Sequence, residues 1–206
     1  MQLKALAICI ATAAVLNVHL SAADEPGVPR GWSTSDTVGS VYAVGYDNAE
    51  KATYLRSIGD PGEQKGALFQ SVDMKPYLGR TVRASAELRD DSFTGRVEFF
   101  LNATGNPKPD GKRNNSFAVS TVEAKPGVWQ PVNMVIRYDN DTVNPLILMT
   151  VGLAIHGKGG VWMRNVQIVD VTDNKEFQRE ATNKPISADI SSTAPNVSLT
   201  NLELRP

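Results

Sequence analysis

The stretch GRVEFFLNATG, residues 95–105, combines residue types that suit ligand binding. Read as a β-strand, it alternates between two faces, and its apolar members share one of them: Val97, Phe99, Leu101 and Ala103. The other face carries Arg96, Glu98, Phe100 and Asn102. A ring that stacks on the apolar side of a sugar, beside planar groups that bond its hydroxyls, is what a saccharide site needs. The row predicts either a wall of a shallow binding groove or a solvated surface.

The stretch RTVRASAELR, residues 80–89, shows the same alternation, with Arg83, Ser85, Glu87 and Arg89 on its polar face. We expect Glu87 and Glu98 to lie near one another on neighbouring strands. Paired carboxylates are the groups that glycoside hydrolysis uses, so a glycan hydrolase or lyase is one interpretation. Ordinary cross-strand ion pairs with the arginines explain the same residues without any chemistry.

Histidine and cysteine are scarce. Beyond residue 23 the chain holds His156 and no cysteine, so a zinc site of several His or Cys ligands cannot be assembled. No nucleophile-elbow motif accompanies His156, and we predict no catalytic residue. The segment YDND, residues 138–141, favours a turn, with calcium ligation by Asp139 and Asp141 as the alternative. We therefore expect no cofactor, unless a structural calcium binds there.

Small residues alternate with the apolar ones just before His156, which leaves room above that strand. The ligand-binding set predicted from all three stretches is Arg83, Glu87, Arg96, Glu98, Phe100, Asn102 and His156.

Short apolar or alternating segments separated by Gly, Pro, Asn and Asp clusters indicate roughly nine strands: 40–47, 52–58, 66–72, 80–89, 96–103, 116–121, 128–138, 146–157 and 161–171. With no long helical period, this predicts an all-β fold, an antiparallel β-sandwich or barrel, with one helical turn within 72–80. Trp129 and Trp162 begin strands after turns, which favours a core or sheet-end role. Residues 24–174 form the predicted domain, and the Ser- and Thr-rich residues 175–206 a largely extended tail.

The first residues have the layout of a secretory signal peptide, residues 1–23, with Lys4 before an apolar run and SAA at its end. Its removal takes Lys4 from the 21 basic side chains and leaves all 22 acidic ones, a net charge of about −2. No basic field remains for nucleic acid, and no membrane span remains in the mature chain. We expect an exported protein, periplasmic or secreted.

Five segments in order, YAVGYDNAEKATYLRS, GALFQSVDMKPYLGRTVRASAELR, TGRVEFFLNATG, VWQPVNMVIRYDND and VGLAIHGKGGVWMRNVQIVDV, resemble a bacterial jelly-roll domain of the galactose-binding-like type. Such domains occur in exported proteins and attached to AraC-type transcription regulators. The resemblance covers residues 32–171, and its most specific parts are PYLGRTVRASAELR and GLAIHGKGGVWMRNV. It implies a β-sandwich similar to carbohydrate-binding modules.

Together these observations predict an exported, non-catalytic binding domain for a saccharide or cell-envelope glycan. The alternatives are a structural or protein-interaction domain with an envelope protein as its partner, and a glycan-active hydrolase or lyase.

Overall fold

The computed structural model describes residues 25–108, 113–123, 125–138 and 140–182, and the predicted signal peptide, residues 1–23, lies outside them. The strands of this part are β1 (Glu25–Pro26), β2 (Ser33–Thr34), β3 (Tyr42–Asp47), β4 (Ala52–Ser57), β5 (Gly66–Asp73), β6 (Thr81–Pro107), β7 (Arg113–Val122), β8 (Gln130–Arg137) and β9 (Leu146–Asp170). A 3₁₀ turn (Lys75–Tyr77) precedes β6, and a helix, α1 (Lys175–Thr182), follows β9. The predicted all-β class is confirmed.

All strand pairs are antiparallel and form two layers. In the first sheet, β8 pairs with residues 81–88 of β6, which pair with residues 160–170 of β9, followed by β4, β3 and β1. In the second sheet, β7 pairs with residues 97–107 of β6, which pair with residues 146–155 of β9, followed by β5 and β2. The two longest strands thus belong to both layers, as in a β-sandwich whose sheets share corner strands.

The core between the sheets follows the alternation expected from the sequence. The first part of β6 buries Val82, Ala84, Ala86 and Leu88, and its second part buries Val97, Phe99, Leu101 and Ala103. Facing strands add Met149, Val151, Leu153 and Ile155 from β9 and Leu68 from β5. Since every second residue of these strands is buried in one shared core, the intervening residues point outward from the sandwich.

Two pairs of predicted strands are single strands in the structure. Segments 80–89 and 96–103 are halves of β6, and segments 146–157 and 161–171 are halves of β9. The ladder between β6 and β9 continues across the bend with a register shift between Asp91 and Thr94. The residues between these segments, which the sequence predicted to be turns, are therefore bends within continuous strands. The strands continue because β6 and β9 stay hydrogen-bonded to each other through the bend.

The helical turn predicted within residues 72–80 is confirmed by the 3₁₀ turn, which has Pro76 in its first positions. The prediction of an extended tail from Lys175 is wrong for its first eight residues, which form α1. Asn174 starts this helix because its side-chain oxygen accepts a hydrogen bond from the Glu176 amide at 3.0 Å. The rest of that tail, residues 183–206, lies outside the described residues. Among the described helices, none is long and apolar enough to cross a membrane.

Candidate functional site

The predicted ligand-binding residues lie on two opposite faces of the sandwich. Arg83 and Glu87 are on the outer face of the first sheet, because they precede the bend of β6. The remaining residues are on the outer face of the second sheet: Arg96, Glu98, Phe100, Asn102 and His156. The expectation that Glu87 and Glu98 are neighbours is wrong, since the core separates them. These two carboxylates cannot act on one glycosidic bond, which requires a separation below about 10 Å.

On the second sheet, aromatic and apolar side chains form a surface that we call the aromatic platform: Phe69, Phe100, Phe117 and Val119. Val119, Phe100 and Phe69 lie in one cross-strand row with Gly152 between the two rings. Phe117 follows in the next row, its ring centroid 6.5 Å from that of Phe100 and the planes inclined at 30°. Phe117 is 61% exposed, so the platform presents an aromatic surface to solvent.

The platform depends on a glycine, Gly152, beneath the ring of Phe100. A Cβ on Gly152 would lie 2.8 Å from Cζ of Phe100 and 2.5 Å from the carbonyl oxygen of Leu68. The ring of Phe100 therefore reaches across β9 and rests on the backbone of Gly152. The sequence predicted room above this strand, and Phe100 occupies part of that room.

One end of the platform is ionic. The carboxylate of Glu98 lies 2.9 Å from the Arg96 guanidinium and 3.4 Å from Nε2 of His156. That His156 nitrogen is buried and makes no hydrogen bond within the described part of the chain, so its contact with Glu98 is one of proximity only. Arg96, at 58% side-chain exposure, is the member of this group most open to solvent.

The other end of the platform carries neutral polar groups. Asn102 is opposite Phe117 on β7 and Thr150 on β9, and its amide donates to the Thr104 hydroxyl at 3.5 Å. The hydroxyls of Thr150 and Ser71 are 2.8 Å apart. Hydroxyl and amide groups thus flank the rings on the side away from Glu98.

The outer face of the first sheet holds a groove of about 330 Å³, which we call the polar groove. Its polar lining residues are Arg83, Ser85, Glu87, Asn133, Asn165 and Gln167. Ser85 is directly opposite Asn133 on β8 and Gln167 on β9, so two amides flank its hydroxyl. Asn165, with φ of 53°, lies in the β9 bulge opposite Ala86. Arg83 closes one end beneath the ring of Phe177, at 5.2 Å.

At the other end of the groove, Glu87 is bound by Arg164, with 2.7 Å between Oε2 and Nε. The hydrogen bond from Arg164 is the main reason that the pKa of Glu87 lies below its ordinary value, and burial opposes it only in part. Arg164 also stacks on Trp129, its guanidinium carbon 3.9 Å from the ring centroid. The guanidinium is therefore fixed by a carboxylate and an aromatic face together.

Trp129 and Trp162 are not in the core, which contradicts one of the two roles predicted for them, whereas Trp129 does lie at a strand end, directly before β8. Both are partly exposed beside the first sheet's outer face, with Arg89 between them at 5.4 and 5.1 Å from the two ring centroids. Each indole N–H donates to a carboxylate, Trp129 to Glu50 at 3.2 Å and Trp162 to Asp47 at 3.0 Å. Strict alternation in β9 indicates this orientation for Trp162, since Val161 and Met163 on either side are buried.

A turn was expected at YDND, residues 138–141, and the turn that the structure shows begins at Asp141, whose carboxylate accepts hydrogen bonds from the amides of Val143 and Asn144. These bonds also lower the pKa of Asp141. Asp139 lies outside the described residues. Within the described ranges, no three His, Cys, Asp or Glu side chains are grouped as metal ligands.

Neither a protein-family model nor a curated protein matches this chain. Solved structures do match it in fold. The Stig cyclase Fisc from Fischerella sp. TAU has a TM-score of 0.54 at 13% identity, over 74% of this chain and 90% of its own. A cyclase from the same organism, in complex with 4-(1H-indol-3-yl)butan-2-one, has 0.53 at 15% identity, over 80% and 97%. A CBM4 structure has 0.49 at 15% identity, over 68% and 86%. The two cyclases show that this β-sandwich is a known fold.

Proposed function

We propose that this protein is an exported, non-catalytic β-sandwich domain that binds a saccharide, such as a cell-envelope glycan, on the aromatic platform. The observation that carries the proposal is the exposed ring of Phe117 beside that of Phe100, with polar side chains at both ends of the pair. Exposed aromatic clusters on otherwise polar surfaces mark binding sites.

The chemistry of a sugar matches this arrangement. The axial C–H groups of a pyranose form an apolar patch that stacks on an aromatic ring, while its hydroxyls need donors and acceptors at the ring's edge. Asn102 and Thr150 supply neutral partners at one end, and Glu98 supplies an acceptor at the other. Phe100 and Thr150 project from a rigid part of the sheet, because β6 and β9 are each paired on both sides there.

A glycan array probed with the labelled full-length protein, with and without calcium, tests the proposal. We expect binding to at least one glycan class, and an affinity for it that falls about tenfold in Phe117→Ala by calorimetry. Ile58→Ala is the control, because Ile58 is 55% exposed and lies outside the platform. A blank array in both conditions, or equal affinity for Phe117→Ala and the wild type, would overturn the proposal.

Export is a separate part of the proposal and rests on the N-terminal pattern alone. Mass spectrometry of the protein recovered from its own cells should show a chain that lacks residues 1–23. An intact N-terminus on the recovered protein would contradict export.

A second candidate function is protein interaction through β7. Within the described residues this strand pairs only with β6, and it exposes Phe117 and Val119. An edge strand with exposed apolar side chains can pair with another chain. Light scattering should then show a molar mass that rises with concentration, and a pull-down from envelope extract would look for a partner protein. A mass that stays that of the monomer would weigh against this function.

A further inference from the structure

A second site for ligand lies on the face opposite the aromatic platform. We propose that the polar groove binds a carboxylate-bearing sugar, a uronic acid unit of a glycan, with the carboxylate on Arg83 and the hydroxyls on the amide row. This inference stands without the platform, because it uses other residues on the other sheet. A volume of about 330 Å³ is within the range of small-ligand sites.

The charge of the groove points to an anion. Arg83 takes part in no ion pair among the described residues, and its Nε is buried without a hydrogen-bond partner there. Glu87 is the other charged residue that lines the groove, and its charge is balanced by the ion pair with Arg164. Glu87 is four residues along β6 from Arg83, about 13 Å in a strand. Among the described ion pairs, the charge of Arg83 is therefore not balanced by a carboxylate. A guanidinium binds a carboxylate through two parallel hydrogen bonds.

The neutral lining points to a polyol. Asn133 and Gln167 are both exposed and flank the hydroxyl of Ser85 in one cross-strand row. Asn165 lies in the adjacent bulge, where its positive φ turns the backbone out of the regular ladder, and its side chain hydrogen-bonds to Glu87 at the end of the row. Each amide side chain offers both a donor and an acceptor to neighbouring hydroxyls, whereas a carboxylate only accepts and a guanidinium or ammonium only donates.

A sugar fits this groove better than an acidic peptide does. Extended peptides gain affinity by adding to an unpaired strand edge. The groove instead lies over β8, β6 and β9, whose backbones pair with one another here. Its binding groups are consequently side chains and not an unpaired backbone edge.

The test is calorimetry of the full-length protein with three probes: trigalacturonate, its methyl ester and triglutamate. We expect trigalacturonate to bind, and its methyl ester to bind at least about tenfold more weakly because the charge is lost. Equal affinity for acid and ester, or no binding of the acid, would overturn the inference. Triglutamate binding as tightly as trigalacturonate would also overturn it, in favour of an acidic peptide.

Substitutions in the polar groove test where the ligand binds. Arg83→Gln should weaken trigalacturonate binding by about tenfold. Arg56→Gln is the matched control, since Arg56 is an exposed arginine on β4 of the same sheet, outside the groove. Gln167→Ala changes an exposed side chain and should weaken binding even if Arg83→Gln lowers the melting temperature. Unchanged affinity for trigalacturonate in both groove variants would refute the site. The platform proposal is tested separately, by whether Phe117→Ala weakens the binding of a neutral glycan.

Discussion

Gly95 on β6 and Gly157 on β9 are directly paired at the bend where both strands pass from one sheet to the other. A Cβ on Gly95 would lie 2.0 Å from the carbonyl oxygen of His156, and one on Gly157 would lie 2.0 Å from that of Thr94. Their φ angles, 140° and 141°, are ones that other residues rarely adopt. Two glycines therefore allow the crossing that places the platform and the groove on opposite faces.

Gly157→Ala should lower the free energy of unfolding by about 3 kcal/mol, because it adds both a clash with backbone and a strained φ. Urea unfolding followed by tryptophan fluorescence measures the change. Gly59→Ala is the control, since a Cβ there meets nothing within 4 Å. If the two variants unfold at the same urea concentration, the bend does not require glycine at residue 157.

Removal of the hydroxyl should lower stability at one fully buried tyrosine, Tyr42, and should not lower it at another, Tyr138. The Tyr42 hydroxyl donates to the carbonyl oxygen of Gln64 at 3.0 Å and accepts from the Gly157 amide at 3.3 Å. The Tyr138 hydroxyl is buried without a partner among the described residues, and burial raises its pKa. Tyr42→Phe should cost about 1–2 kcal/mol of stability, whereas Tyr138→Phe should be neutral or stabilising by up to about 1 kcal/mol.

Thermal and urea unfolding of both variants check this expectation. A loss for Tyr138→Phe that equals the loss for Tyr42→Phe would show that the Tyr138 hydroxyl is hydrogen-bonded after all.

Glu87 should contribute acid-sensitive stability. Its pKa is lowered in the folded state by Arg164, so the contribution is complete above the ordinary glutamate value of about 4.3 and is lost as the pH falls through the lower folded value. The pair is partly exposed, and solvent screening limits the effect to about 1 kcal/mol or less. Glu87→Gln should therefore be less stable than the wild type at pH 7, with the difference shrinking toward pH 3. A difference that stays constant over this range would contradict the ion pair.

The stack of Arg164 on Trp129 should be measurable as a coupling. A double-mutant cycle of Arg164→Met and Trp129→Leu should give an interaction of about 1 kcal/mol, because the guanidinium carbon is 3.9 Å from the ring centroid. The cycle of Arg56→Met and Tyr54→Leu, with 4.9 Å between the groups and an exposed arginine, should give about 0.5 kcal/mol or less. Equal coupling in the two cycles would argue against a specific role for the Trp129 stack.

Period-2 alternation within each segment was enough to predict the fold class and the core faces. Leu88 and Phe99 are buried as expected, because a strand in a two-layer fold must turn every second residue toward the core. The same rule places Arg83 and Glu87 together, and Glu98 and Phe100 together, on outward faces.

Only the tertiary structure decided which outward face each group occupies. Alternation is a property of one strand and carries no information on whether the chain turns back or bends across a corner between residues 91 and 95. Because β6 and β9 bend together, Arg83 and Glu87 come to lie beside Asn133 and Gln167, far from Glu98. Long-range pairing also brought Arg164 of β9 onto Trp129, the residue before β8, a contact that no local pattern encodes.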